Sequence, residues 1–153
     1  MFLKITLAMM AFAANSVLCR LALAGQQIDP LSFSVIRVCS GAVVLLMLWL
    51  LSQTRQAIQW NLYSALALAI YIVAFSYAYI QIDAGVGALL LFGTVQLAMV
   101  FYAVFHGEKL NLKRGSGLII ALMGIVILLL PGASAPSLSY AIIMMISGLA
   151  WAA

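Results

Sequence analysis

Charged residues are scarce in this sequence. Only 7% of its 153 residues are Asp, Glu, Lys or Arg, while 67% are hydrophobic. An ordinary soluble domain is about 25% charged and about 45–50% apolar, and the interior of so small a protein cannot hide this much apolar surface from water. The composition excludes a soluble enzyme, a soluble nucleic-acid binder and a disordered tail, and it predicts an integral membrane protein.

Residues suited to catalysis or metal binding are also few. His106 is the single histidine, so neither a Ser-His-Asp set nor a zinc site with several His ligands can be assembled. Cys19 and Cys39 both lie within apolar runs, where cysteine behaves as a small buried hydrophobe rather than as part of a disulfide framework. We therefore predict that the protein is not an enzyme and has no cofactor and no metal.

The net charge of +4 raises the question of a nucleic-acid partner. Lys109, Lys113 and Arg114 form the densest group of cations, in a short polar stretch between two apolar runs. A nucleic-acid footprint needs a basic face on an exposed fold, whereas cations beside apolar spans set membrane topology and contact lipid headgroups. The predicted partner is the lipid bilayer, and no nucleic acid is expected.

The apolar runs predict the fold class, an all-α integral membrane protein. About 20 apolar residues in a helix cross the hydrocarbon core of a bilayer. By this measure the sequence contains five full transmembrane helices and a truncated sixth, over residues 3–24, 31–51, 60–80, 84–105, 115–130 and 137–153. Connections of about 5–10 residues make consecutive helices antiparallel.

The distribution of cations predicts the orientation. Five of the seven fall on one side of this zigzag, namely Lys4, Arg55, Lys109, Lys113 and Arg114. The positive-inside rule then places the N-terminus in the cytoplasm. One alternative is open, because Ala22-Leu23-Ala24 before Gly25 resembles the cleavage site of a secretory signal, and cleavage there would remove the first helix.

Polar side chains within the spans are candidates for function, because lipid cannot satisfy them and they must face protein or water. Asn15 and Gln96 lie near the centres of the first and fourth spans, where an interhelical hydrogen bond and a place in a cavity wall are both open. Arg37 lies about two turns into the second span. It could partly snorkel outward or pair with Asp29 or Asp83 on the same side, so a structural role is at least as open as contact with a solute.

Small residues predict where helices pack closely. Gly117, Ala121 and Gly124 follow one another at spacings of four and three in the fifth span, which is the pattern of a small-residue packing stripe. Gly87 and Gly93 in the fourth span could pack similarly or allow bending. We assign Gly117 and Gly124 a structural or gating role.

Five short sequence motifs follow one another over about 130 residues. They are Asn15 after Phe12-Ala13-Ala14, Pro30 seven residues before Arg37, Tyr77-Ala78, Gly107-Glu108-Lys109-Leu110, and the glycine-bearing stretch from Gly115 to Leu130. In this order they resemble the EamA-type transporters of the drug/metabolite transporter superfamily. Two positions depart from that pattern, because Val38 replaces an aromatic residue and Thr94-Val95-Gln96 stands where the family often has a proline.

The resemblance implies ten helices in two inverted five-helix repeats. It divides this chain into a first repeat over 1–131, an external linker over 132–136 and the truncated start of a second repeat over 137–153. Leu149-Ala150-Trp151-Ala152-Ala153 also echoes Met10-Ala11-Phe12-Ala13-Ala14. We therefore expect the N-terminal half of a transporter of the bacterial inner membrane, completed by the missing second half or by a second copy.

The resemblance also implies a function, alternating access for small metabolites, amino-acid-like solutes or drugs, with export expected. Carried over by position, Asn15, Tyr77 and Trp151 are its cavity candidates. Gln96 is added from the residues alone, and Arg37 and Glu108 receive structural or gating roles.

Two alternative functions are open. The first is a small homodimeric transporter of the multidrug type. Such transporters carry a membrane-embedded glutamate in their first helix, where this chain has Asn15. The other alternative is a membrane fragment that does not transport, and we expect no transport by residues 1–153 alone.

Overall fold

The computed structural model describes residues 2–25, 28–52, 60–107, 112–129 and 136–153, and all its regular structure in these ranges is α-helical. The helices are α1 Phe2–Ala24, α2 Pro30–Leu51, α3 Leu62–Ala78, α4 Ala84–Phe105, α5 Leu112–Leu129 and α6 Leu138–Ala152. This confirms the all-α class. The chain is an integral membrane protein by its apolar helices.

Three of the six helices are clear membrane spans in the described residues, and the predicted count of five full spans is not confirmed. By length and composition, α1, α2 and α4 could each cross a membrane. The apolar parts of α3, α5 and α6 that the structure describes are shorter. The difference is clearest in α3, predicted over 60–80, which has only 17 residues. Asn61 starts it late, because its side-chain oxygen accepts hydrogen bonds from the backbone N–H groups of Tyr63 and Ser64, the bonding of a helix N-cap.

The start of α2 uses an acidic cap. The Asp29 carboxylate accepts hydrogen bonds from the backbone N–H groups of Leu31 and Ser32, at 3.0 and 3.1 Å. Pro30 follows as the first helical residue, where its missing N–H costs nothing. The carboxylate is therefore committed to the helix terminus.

Contacts between polar groups show which helix ends lie together. Arg20, near the end of α1, binds the turn between α3 and α4. The Ser34 and Ser76 hydroxyls lie 2.8 Å apart, which joins the start of α2 to the end of α3. We call this the Asp83 end of the bundle, and we call the opposite end, which holds the start of α1, the Phe2 end.

The most extensive helix packing in the described residues is that of α6 against α3 and α4. Gly148 lies at the contact with α4. A Cβ atom there would lie 2.9 Å from the Thr94 Cβ and 3.0 Å from the Leu91 carbonyl oxygen. No larger residue allows this approach, so glycine sets the distance between α4 and α6.

The packing stripe predicted on α5 is not seen in the described part of the chain. No heavy atom lies within 4 Å of a Cβ built at Gly117 or Gly124. The close approach of α4 to α5 occurs instead at Gly93, where a Cβ would lie 2.8 Å from the Ile125 Cδ1. A glycine spacing shows that a close contact is possible but does not show which neighbour uses it.

Candidate solute cavity

A cavity of about 600 Å³ lies between α1, α2, α3 and α6. This is within the range of small-molecule sites, about 300–1,000 Å³. Most of its wall is aliphatic, and four side chains bring an amide, a guanidinium, a phenol and an indole, namely Asn15, Arg37, Tyr71 and Trp151.

These four side chains lie near the middle of the bundle. Asn15 stands nine residues before the end of α1, and Arg37 seven residues after the start of α2. At 1.5 Å per residue this is about 10–14 Å from the Asp83 end, close to the centre of a hydrocarbon core about 30 Å thick. A bound solute would therefore lie near the midplane.

Arg37 has no acidic partner in the described residues. Its guanidinium carbon lies 4.8 Å from the centre of the Phe75 ring, a cation–π contact. Its Nη1 atom is buried without a hydrogen-bond partner. Neither of the two acids considered as its partner pairs with Arg37, because Asp29 caps α2 and Asp83 binds Arg20.

An aromatic row follows one face of α3 from the cavity to the Asp83 end. The ring centres of Trp151 and Tyr71 lie 4.8 Å apart, those of Tyr71 and Phe75 5.5 Å apart, and those of Phe75 and Tyr79 4.7 Å apart. Ser147 on α6 donates a hydrogen bond of 3.0 Å to the Tyr71 carbonyl oxygen. These contacts fix the rings at the cavity against α6.

The cavity is closed toward the Asp83 end by a layer of buried side chains. We call it the closing layer, and its members are Cys19, Leu23, Phe75, Tyr79 and Ile82, each at most 2% exposed. All five belong to one hydrophobic cluster. The Tyr79 ring also lies against Gly87 of α4, where a Cβ would lie within 2.6 Å of it.

Arg20 fastens this closed end. Its Nη1 donates hydrogen bonds to the carbonyl oxygens of Tyr79 and Ile80, at 3.1 and 2.7 Å. Its Nη2 lies 3.3 Å from the Asp83 carboxylate. A cation is favoured at these free carbonyl groups, because they carry the negative end of the α3 dipole. Arg20 thus ties α1 to the turn between α3 and α4.

The opposite side of the cavity is open. Its wall continues from Asn15 to Ala8 on α1, from Arg37 to Leu45 on α2, and to Leu68 on α3. The side chains of residues 2–14, 38–48 and 62–66 are all exposed. In the described residues the cavity therefore has no wall on the side of the Phe2 end.

Three of the predicted site residues meet at the cavity. They are Asn15, Arg37 and Trp151, which all line it. Tyr77 is half-buried and Gln96 is exposed, and neither lines this cavity. Glu108 lies outside the described residues.

Tyr71 is the cavity residue that sequence reasoning missed. It lies six residues before Tyr77, which is about 240° around a helix, so the two phenols point to different faces of α3. The available signal was the spacing of Tyr71 and Phe75, which stand one turn apart and form one aromatic face.

Comparison with known proteins now adds to this geometry. The model of the EamA-like transporter family matches residues 1–130. The chain belongs to the EamA-like transporter family. This confirms the resemblance drawn from the five motifs. The family match ends before α6 begins at Leu138, although α6 supplies Trp151 to the cavity of this EamA-like protein.

A relative extends the comparison along the chain. This EamA-like chain is 49% identical over 146 residues to an uncharacterized protein of Pseudomonas aeruginosa, in an alignment that covers 95% of this chain and 51% of that protein. The chain thus spans about half the length of the curated relative it matches. No solved structure matches it.

Proposed function

We propose that this protein is the N-terminal half of a transporter that moves small solutes across the membrane by alternating access. The observation that carries the proposal is a solute-sized cavity near mid-depth, open toward one end of the bundle and closed at the other. Alternating access requires a central site that communicates with one side at a time. In the conformation described here, the site communicates with the Phe2 end.

The asymmetry between the two ends supports this reading. The closing layer and the three Arg20 contacts lie between the cavity and the Asp83 end. The helices at the Phe2 end expose their side chains around the cavity mouth. Release toward the Asp83 end requires α1 to move away from the turn between α3 and α4, which breaks the Arg20 contacts.

The direction we propose is export from a bacterial cytoplasm across the inner membrane. The cation distribution favours a cytoplasmic N-terminus, and the open side of the cavity is then the cytoplasmic side. A cavity open to the cytoplasm is the loading state of an exporter. The relative from Pseudomonas aeruginosa supports a bacterial setting.

The lining supports amphipathic metabolites, amino-acid-like solutes and drugs as the solute class. Asn15 offers an amide donor and acceptor, and Trp151 and Tyr71 offer aromatic faces with a polar edge. The exposed rim requires a partner to complete the cavity. We propose that the second half of the same protein covers it, as the coverage of half the relative suggests.

The test begins with the identity of the solute. Cells with and without the gene are compared by mass spectrometry of the medium, and compounds that differ are labelled for flux assays in vesicles. The protein is produced from its complete reading frame, and folded yields are equalised by size-exclusion chromatography. Saturable flux is expected.

Variants connect that flux to the cavity. Trp151→Ala is expected to reduce transport about tenfold or more, which corresponds to about 1.4 kcal/mol of lost solute contact. Gln96→Ala is the matched control on an exposed position and is expected to leave flux unchanged. Absence of saturable flux for every compound, or equal losses in both variants, contradicts the proposal.

A further inference from the structure

We propose that the cavity selects solutes with one carboxylate group, bound by the Arg37 guanidinium, next to an aromatic or bulky apolar group that packs on Trp151 and Tyr71. This inference rests on the proposed function and names the solute class of the same site. Four observations carry it: the charge of Arg37, its unpaired nitrogen, the aromatic wall and the absence of a described acid from the lining.

The charge of Arg37 is not neutralised by an acid in the described residues. The sequence has three acidic residues. Asp29 is committed to the N-terminus of α2, Asp83 is committed to Arg20, and Glu108 lies outside the described part. A cation within a membrane span is costly unless it is paired or reaches water. An anionic solute group is the partner that the cavity can admit.

One nitrogen of the Arg37 guanidinium is in need of a partner. The Phe75 ring covers the guanidinium carbon at 4.8 Å, which engages a π-face but accepts no N–H bond in the plane of the group. The buried Nη1 has no hydrogen-bond partner. A carboxylate matches the planar fork of a guanidinium with two parallel hydrogen bonds.

The rest of the cavity suits an apolar body attached to that carboxylate. Trp151 and Tyr71 form a wall of two rings 4.8 Å apart, and Leu45 and Leu68 continue the lining toward the open end. Aromatic pairs with this separation gain from ring geometry as well as from buried area. A solute of this class would place its charged group at Arg37 and its apolar group against these side chains.

The lining also discriminates against a positive group on the solute. Among the described residues, no Asp or Glu lines the cavity, so an ammonium group would find only the Asn15 amide and the aromatic faces. A monocarboxylate is therefore expected to bind more tightly than the corresponding zwitterion. An amine without a carboxylate is expected to bind most weakly, because Arg37 repels it.

A matched set of four probes tests this order. The set comprises 3-phenylpropionate, its amide, phenylalanine and 3-phenylpropylamine, which share one ring and differ in charge. Binding is measured by calorimetry with the protein in lipid nanodiscs. The carboxylate is expected to bind roughly 10- to 100-fold more tightly than its amide, as for a charge-assisted pair in a partly desolvated site. Phenylalanine is expected between the carboxylate and the amine.

Two substitutions assign the preference to Arg37. Arg37→Gln is expected to abolish the ratio between carboxylate and amide, and Arg37→Lys is expected to restore part of it because the charge is kept. Gln96→Ala changes an exposed position outside the cavity and is expected to leave the ratio unchanged. Should Arg37→Gln fail to fold, the ratio in the unmodified protein still decides.

The outcomes separate this inference from the proposed function. Equal affinity for carboxylate and amide in the unmodified protein, or a ratio that survives Arg37→Gln, overturns the carboxylate assignment. Flux that treats both probes alike overturns it too and leaves transport intact. Binding that depends on Arg37, without flux of any solute, supports the assignment and contradicts transport.

Discussion

Replacing Arg20 with alanine should open the Asp83 end of the bundle. The Arg20 side chain connects α1 to the turn between α3 and α4, with hydrogen bonds to the carbonyl oxygens of Tyr79 and Ile80 and an ion pair with Asp83. The substitution removes all three contacts and leaves the closing layer in place. The expected result is a larger population of conformations in which this layer is exposed.

The magnitude follows from the exposure of each contact. The two bonds to carbonyl oxygens are charge-assisted, and the Arg20 side chain is 26% exposed, so we take about 1–1.5 kcal/mol for each, near the lower end of the usual range. The ion pair adds less than about 1 kcal/mol, because the Asp83 side chain is 71% exposed. A total loss of about 2–4 kcal/mol raises the open population about 30- to 900-fold.

Cys19 reports this opening directly. It is 2% exposed in the closing layer, next to Arg20 in sequence. The sequence has two cysteines, so Cys39→Ser leaves Cys19 as the single thiol. Its rate of reaction with a small maleimide, measured by mass spectrometry of protein in nanodiscs, is proportional to the open population while opening is fast compared with labelling. Arg20→Ala should raise that rate about 30-fold or more.

Asp83→Ala provides the matched comparison. It removes only the exposed ion pair, and the Asp83 side chain makes no capping bond to α4, so the labelling rate should rise less than about fivefold. The reasoning is refuted if Arg20→Ala leaves the rate unchanged. It is also refuted if Asp83→Ala raises the rate as much as Arg20→Ala does.

Two further predictions concern helix packing, and thermal unfolding in detergent checks both. Gly148→Ala should destabilise the protein by about 1–3 kcal/mol, because its Cβ would lie 3.0 Å or less from atoms of α4. Gly41→Ala is the control and should be neutral, since no atom lies within 4 Å of its Cβ. Equal unfolding midpoints for the two variants would contradict the close approach of α6 to α4. Ser76→Ala should lower the stability by about 0.6 kcal/mol, up to about 1.7 kcal/mol, because it breaks the buried hydrogen bond with Ser34 of α2. Ser40→Ala changes an exposed position and should have little effect. A larger loss of stability for Ser40→Ala would contradict this assignment.

The order and approximate length of the helices could be predicted from the sequence, because lipid demands long apolar runs and short polar connections. The predicted fourth span, 84–105, coincides with α4 at both ends. Agreement is poorer at α3, where the Asn61 cap starts the helix two residues late and the chain turns at Tyr79. Hydropathy cannot detect either end of α3, because Trp60 before its start and Ile80 after its end are both apolar.

The rotation of each helix could not be predicted in the same way. The spans are apolar on all sides, so no polar face shows which side chains point inward. Asn15 and Trp151 were cavity candidates by their position in the family pattern, whereas Gln96 was added because a polar group at mid-depth needs a protected setting. Gln96 nevertheless lies on an exposed face of α4, and Tyr77 lies on a different face of α3 from Tyr71.

The position of α6 limits how this protein can be divided. This helix follows the segment that carries the family signature, yet it packs between α3 and α4 and brings Trp151 to the cavity. A gene split or a swap of halves placed just before Leu138 would take away a cavity wall and leave Leu91 and Thr94 without Gly148, their neighbour on α6. A cut after α6 would keep that wall, so two-plasmid complementation should succeed only with the later break.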